Sequence, residues 1–164
     1  MLLYARGSET ESLTSEDLKE GLYEALGKLG SKRKVLALPP DFTRYHSRAG
    51  EITACAYQYY GDRMTDIMPA LGTHFPMTEH EISKMFPDVP HSLFREHKWR
   101  SDIVTLGVVP ESYVSEVSEG KVAYPWPAQV NRLLVEGDFD LILSPGQVVP
   151  HEVVGMANYN NCLL

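Results

Sequence analysis

An α/β fold, a mostly parallel sheet flanked by helices, is what this sequence predicts, and three apolar runs carry the expectation. Val35-Leu-Ala-Leu38, Asp66-Ile-Met-Pro-Ala-Leu71 and Leu141-Ile-Leu143 are each short, and each ends in a loop marked by Gly or Pro. Short apolar runs bounded by turn formers read as buried strands. If the three pair in one parallel sheet, their loops share its carboxyl edge, where α/β sheets bind ligands.

The elements follow in order. Thr14-Ser-Glu-Asp17 fits a capping box, and Leu18, Leu22, Ala25 and Leu29 follow at helical spacing until Gly30, so a helix is expected to cover the sheet. Ser31-Lys-Arg-Lys34 reads as a solvated basic turn into the first strand. After the loop at 41–44, Ala49, Ile52, Ala56 and Tyr59 mark a second helix closed by Gly61. Cys55, beside that face, reads as an inert structural thiol. The second strand is placed at 66–71, with Pro69 as its weak point. A second capping box, Thr78-Glu-His-Glu81, opens a short helix with Ile82, Met85 and Phe86, and His80 reads as ordinary surface. Arg95-Glu-His-Lys-Trp-Arg100 reads either as a lid or anion-binding loop, or as a solvated bend with Trp99 in the core. Ile103–Val109 reads as a strand, residues 113–117 and 122–124 as a hairpin-type excursion broken by Pro125-Trp-Pro127, and 129–135 as strand or helix.

The whole chain sets outer limits. Its 164 residues, 43% apolar and 23% charged, suffice for one domain with a real core. A net charge of −7 argues against a general nucleic-acid or anionic-membrane binder. No apolar stretch approaches the roughly 18 residues of a membrane span. Cys55 and Cys162 form no C-x-x-C pair, so a reducing, cytoplasmic location is expected. No dinucleotide fingerprint, Walker lysine loop or H-E-x-x-H motif occurs.

The predicted rim therefore carries Asp41, Arg44, His74 and His151. Imidazole both gives and takes a proton near neutrality, so two of them on opposite sides of a substrate form a matched acid and base. Arg44 offers a fork for a carboxylate or phosphate, and Asp41 is placed to hold that guanidinium. The plainer readings stand beside these. Asp41 caps a helix near Ser47, Arg44 makes a surface ion pair, and the histidines are structural or ligate zinc in a hydrolase.

Pro40-Asp-Phe-Thr-Arg44, Leu71-Gly-Thr-His74-Phe-Pro-Met-Thr78 and Gly146-Gln-Val-Val-Pro-His151-Glu-Val-Val-Gly155 resemble, in the same order, the signatures of the lactate racemase family, whose members use a nickel-pincer nucleotide. The resemblance runs from about Val35 to the last residues and covers the N-terminal part of such an enzyme. It implies a Rossmann-like N-terminal half of a two-domain fold with the active site between domains. It further implies that His74 and His151 are proton donor/acceptors flanking a 2-hydroxy acid, and that Asp41, Phe42, Thr43 and Arg44 bind the nucleotide, with Arg44 near the substrate. The implied reaction interconverts stereoisomers by hydride and proton transfer.

The sequence departs from that pattern at one position. Ten residues after His151, where the family carries the lysine that tethers its cofactor, stands Asn161. The family's nickel-ligating histidine and second-domain lysine fall past Leu164. Residues 1–164 are therefore expected to form a single N-terminal domain, truncated and without its second domain, inactive alone as a racemase or epimerase. Its exposed cleft face is expected to self-associate. The alternative is a non-catalytic remnant that binds an anion or a partner protein.

Overall fold

The computed structural model describes residues 1–72, 74–151 and 155–157, with His151, Gly155 and Ala157 described by backbone alone. Helix α1 (Ser15–Lys28) begins at the expected capping box: Asp17 N–H donates to Thr14 Oγ1 at 3.2 Å and the Asp17 carboxylate accepts from Thr14 N at 2.9 Å. The basic turn then proves to be a fastening. The Asp140 carboxylate accepts the backbone N–H groups of Arg33 and Lys34 at 2.9 Å each, which ties the start of strand β1 (Val35–Ala37) to the start of β5 (Leu141–Leu143).

Strand β1 is the centre of a three-stranded parallel sheet ordered β2-β1-β5, where β2 is Met64–Ile67. Val35, Leu36 and Ala37 are fully buried, as a strand covered on both faces must be. Alternation sorts its side chains. Val35 and Ala37 join a core with Leu26 of α1, Ala54, Ala56 and Tyr60 of α2 (Ala49–Tyr60), and Met64 and Ile67 of β2. Leu36 and Leu38 face the other way, onto Met68, Ala70 and Leu133, Leu134 and Phe139.

Met64 and Ile67 lie an odd number of residues apart yet share one core, which strict alternation forbids. A bulge resolves this: Val35 pairs with Met64 but Leu36 with Asp66, so Thr65 is the extra residue. The second strand thus starts two residues earlier than the sequence predicts and ends before Pro69. Pairing continues beyond it through Met68 N to Ala37 O (2.9 Å) and Ala70 N to Pro39 O (2.7 Å). Successive donors to β1 are alternate residues, so the N–H that Pro69 lacks falls on the side away from β1.

Helix α3 (Glu79–Met85) opens with the second capping box, Thr78 with Glu81, and buries Met85 and Phe86. Its cap bonds from Thr78 hold the Glu81 carboxyl below the usual range. Gly50 of α2 is required where the two helices meet, since a Cβ there would lie 2.0 Å from the Met85 carbonyl oxygen.

Farther along, the structure corrects the sequence reading. Residues 113–117 belong to helix α4 (Glu111–Val117), started by Pro110, and no hairpin forms with 122–124. Instead β3 (Ile103–Val109) pairs antiparallel with β4 (Trp126–Asn131), which takes Trp126 and Pro127 into the strand. Proline is tolerated because both strands of a two-stranded ribbon are edges. The ambiguous stretch splits at Asn131, whose Oδ1 accepts from Leu133 N at 2.9 Å and starts α5 (Arg132–Glu136). Beyond β5, β6 (Val149–His151) and β7 (Gly155–Ala157) form a short antiparallel ribbon where a loop was expected.

Candidate functional site

The parallel sheet brings two of the predicted loops together at its carboxyl edge. Pro40 bridges Ala70, so the chain leaving β1 and the chain leaving β2 run side by side until each turns. The first turn is a 3₁₀ segment, Phe42–Ser47, capped by Asp41. The second uses Gly72 at φ +55°, in the left-handed region glycine tolerates, and closes with His74 N–H on Leu71 O at 2.9 Å.

These turns set Asp41 Oδ2 against His74 Nδ1 at 2.6 Å. Asp41 is 5% exposed, and its other oxygen, Oδ1, accepts from Thr43 N at 3.0 Å and from the Thr43 hydroxyl. The carboxylate thus caps the turn, one of the two parts the sequence suggested for it, and orients the imidazole, a part the sequence did not suggest. An accepting carboxylate puts the proton on Nδ1 and leaves Nε2 as the nitrogen available for chemistry. The His74 side chain is 57% exposed, so that nitrogen is open to a ligand.

The neighbouring residues take different parts. Phe42 packs into the core, with its ring 5.4 Å from that of Tyr45 and Lys84 Nζ 5.5 Å above it. Thr43 Oγ1 accepts from Arg44 Nη1 at 3.4 Å, and Arg44 is exposed at the rim. The predicted clamp between Asp41 and Arg44 gives way to a clamp on His74: both Asp41 oxygens are engaged by Thr43 and His74. His151 has its backbone in β6, paired with Gly155. Its imidazole, and Asn161 and Cys162, lie outside what is described.

Sequence reasoning missed His97. It lies within the basic cluster at 95–100, is 5% exposed, and its Nδ1 sits 3.1 Å from Asn131 Nδ2. The orientation of that amide is fixed, because Asn131 Oδ1 accepts a backbone N–H that can only donate. Nδ2 therefore donates to Nδ1, and His97 carries its own proton on Nε2. Burial pushes its pKa below the ordinary value, with Asp102 pulling weakly the other way, so the ring is held neutral. Trp99, which one of the two sequence readings put in the core, is only half-buried, with the Arg100 guanidinium 3.6 Å above its ring. His74, His97, Lys98, Trp99 and Arg100 line one hollow of about 460 Å³, with Glu96 as its carboxylate.

Among the described residues no group of three His, Cys, Asp or Glu side chains is placed to hold a metal ion. No helix there is long and apolar enough to cross a membrane. Cys55 is a free thiol whose pKa burial raises, in keeping with an inert role.

No protein-family model matches the chain, and no curated protein does. Solved structures do. A crystal structure of a Thermotoga maritima protein superposes on 88% of this chain with a TM-score of 0.77 and 32% identity. The lactate racemase apoprotein from Thermoanaerobacterium thermosaccharolyticum superposes on 89% with a TM-score of 0.56 and 20% identity. The chain spans 36% and 31% of the length of those two proteins. What the second likeness establishes is architecture: this α/β unit, with its parallel sheet between helices, is similar in fold to part of a lactate racemase.

Proposed function

We propose that this chain forms the proton-transferring wall of a 2-hydroxy-acid racemase or epimerase site of the lactate racemase type. The observation that carries the reading is the 2.6 Å contact from Asp41 Oδ2 to His74 Nδ1 at the carboxyl edge of the parallel sheet. A buried carboxylate fixes the ring's tautomer and orientation, and supports the imidazolium that forms when Nε2 takes a hydroxyl proton. Inversion needs a second group on the opposite face. The sequence resemblance assigns that part to His151, and nucleotide binding to residues 41–44, with Arg44 near the substrate.

The same resemblance brings a nickel-pincer nucleotide, which supplies hydride transfer when bound. Of the two acid–base groups the resemblance names, the described side chains include His74, and among the described residues no group of three His, Cys, Asp or Glu side chains is placed to hold a metal ion. Position 161 carries Asn161 in place of the tethering lysine, and an amide nitrogen is too weak a nucleophile to form that link. The chain's own contribution is to orient His74 and to move one proton at its Nε2.

Chiral analysis of D- or L-lactate tests the reading, with this chain supplied with nickel-pincer nucleotide and with the second domain of a lactate racemase, since the stretch by itself is expected to be inactive. The expected result is interconversion that falls by about a hundredfold or more in His74→Asn, the size of a general acid–base contribution. Interconversion at an unchanged rate in that variant would overturn it.

A further inference from the structure

We infer that His97 is a substrate-binding residue, and that the hollow it shares with His74 takes the carboxylate of a small organic acid. The inference rests on the racemase reading for the identity of the acid and on the geometry for the site. Three observations lead to it.

The first is the state of the ring. His97 is 95% removed from solvent, by its 5% exposure, and its Nδ1 accepts from Asn131 Nδ2. Its other nitrogen, Nε2, bears the proton and hydrogen-bonds to no described residue. His97 lines the hollow that His74 also lines, so an acceptor for that donor is to be sought there. A nearly buried donor kept without a protein acceptor is costly to maintain unless something accepts from it.

The second is how the hollow is built. Arg95 is pinned to β2, donating from Nε to Asp66 Oδ1 at 2.7 Å and from its backbone N to Ile67 O at 2.8 Å. The following residues fold into a tight turn, with Ser101 N and Asp102 N both on Lys98 O at 3.0 and 2.9 Å. The segment at 96–101 is thereby held beside the strand whose exit carries His74. The two imidazoles reach one cavity although 22 residues separate His97 from His74 by their numbering.

The third is charge. Lys98 and Arg100 outnumber Glu96 in the hollow, in a chain whose net charge is −7. Arg100 lies over the Trp99 face, an arrangement that holds a guanidinium while leaving its edge free to fork onto a carboxylate. A neutral Nε2–H, a planar guanidinium and an ammonium are donors for a carboxylate group, and His74 Nε2 is then the acceptor for the hydroxyl of the same molecule. The volume of about 460 Å³ suits a small ligand.

The test is ligand titration of the full chain, read from the ¹⁵N and ¹H resonances of its imidazoles. The probes are D- and L-lactate, with inorganic phosphate as the control. His97 should show the Nε2–H tautomer without ligand, and lactate should shift His97 and His74 together and saturably. His97→Asn keeps an acceptor for Asn131 near the Nδ1 position and removes the Nε2–H donor. It should raise the lactate Kd about tenfold, the loss expected for one hydrogen bond to a charged group, with an unchanged dispersed backbone spectrum. Should that variant lose its dispersion, His97→Gln, which restores a donor near Nε2, is read instead and should bind within about threefold of the parent. The inference is overturned if lactate leaves His97 unshifted, if His97→Asn binds as tightly as the parent, or if phosphate binds as tightly as lactate. None of these readouts needs turnover, so a chain that binds lactate at His97 yet shows no His74-dependent interconversion would sink the racemase reading and leave the carboxylate site standing.

Discussion

At the scale of single residues, the two histidines of the hollow are set by opposite devices. His74 Nδ1 donates to a buried carboxylate, whereas His97 Nδ1 accepts from a neutral amide in a site that penalises charge. The second case has a measurable consequence for stability. A ring whose native pKa is lowered stays neutral where the unfolded chain's imidazole, with a pKa of about 6.5, binds a proton. Unfolding therefore takes up a proton in that window. The stabilisation is complete above about pH 6.5 and is lost as pH falls through the native value. Urea denaturation between pH 7.5 and 5 should show a stability slope that is smaller in His97→Asn than in the parent. The Asp17 carboxyl, held at about 2 by Thr14 and then by Arg6, acts only below the ordinary carboxylate pKa of about 3.9, so the two windows do not overlap. Asp41 and His74 were legible in sequence because each follows an apolar run ending in a turn. His97 was not, because it lies among charged residues, and the partner that fixes its tautomer is 34 positions away.

At the scale of elements, local signals were reliable where the stop and start chemistry is local. Both capping boxes predicted real helix starts, and Gly61 ended α2 as expected. The reading failed where pairing decides. Residues 113–117 carry β-formers that suit a strand, yet β3 found its partner beyond them, at β4, and left the intervening segment free to coil into α4. Asn131 is the joint of this region: it ends β4, caps α5 and supplies the amide to His97. Asn131→Ala removes a helix cap and leaves a buried acceptor unpaired. It should cost about 2–4 kcal/mol, to be measured as a fall in unfolding free energy, and an effect under about 0.5 kcal/mol would show that neither contact matters.

At the scale of the molecule, the polar site and the apolar surface occupy different parts of the chain. The large exposed apolar side chains include Leu106, Val108, Tyr124 and Trp126, on or beside the β3–β4 ribbon, with Trp126 stacked on Tyr124 at 6.2 Å. Apolar surface of this kind marks a place where something docks or where copies adhere, and it lies on the ribbon, whereas the sequence expectation placed self-association on the cleft face. Analytical ultracentrifugation across a concentration series should show reversible association that weakens in a Val108→Lys, Trp126→Lys double variant. A chain that stays monomeric throughout would refute this. The parallel sheet was foreseeable because three apolar runs suffice to announce it. The ribbon was not, since its strands are half-exposed and one contains a proline.

The inserted Thr65 decides how the second strand divides its side chains between the two cores. Downstream of that irregularity every side chain of the second strand is rephased by one place, which lets Met68 and Ala70 serve the core opposite to Met64. Removing that single threonine leaves the pairs Val35–Met64, Leu36–Asp66 and Ala37–Ile67 in unbroken register, so the sheet and the His74 corner beyond it should survive the deletion. The insertion is absorbed inside the strand, and the proton-carrying pair is aligned by the register downstream of it.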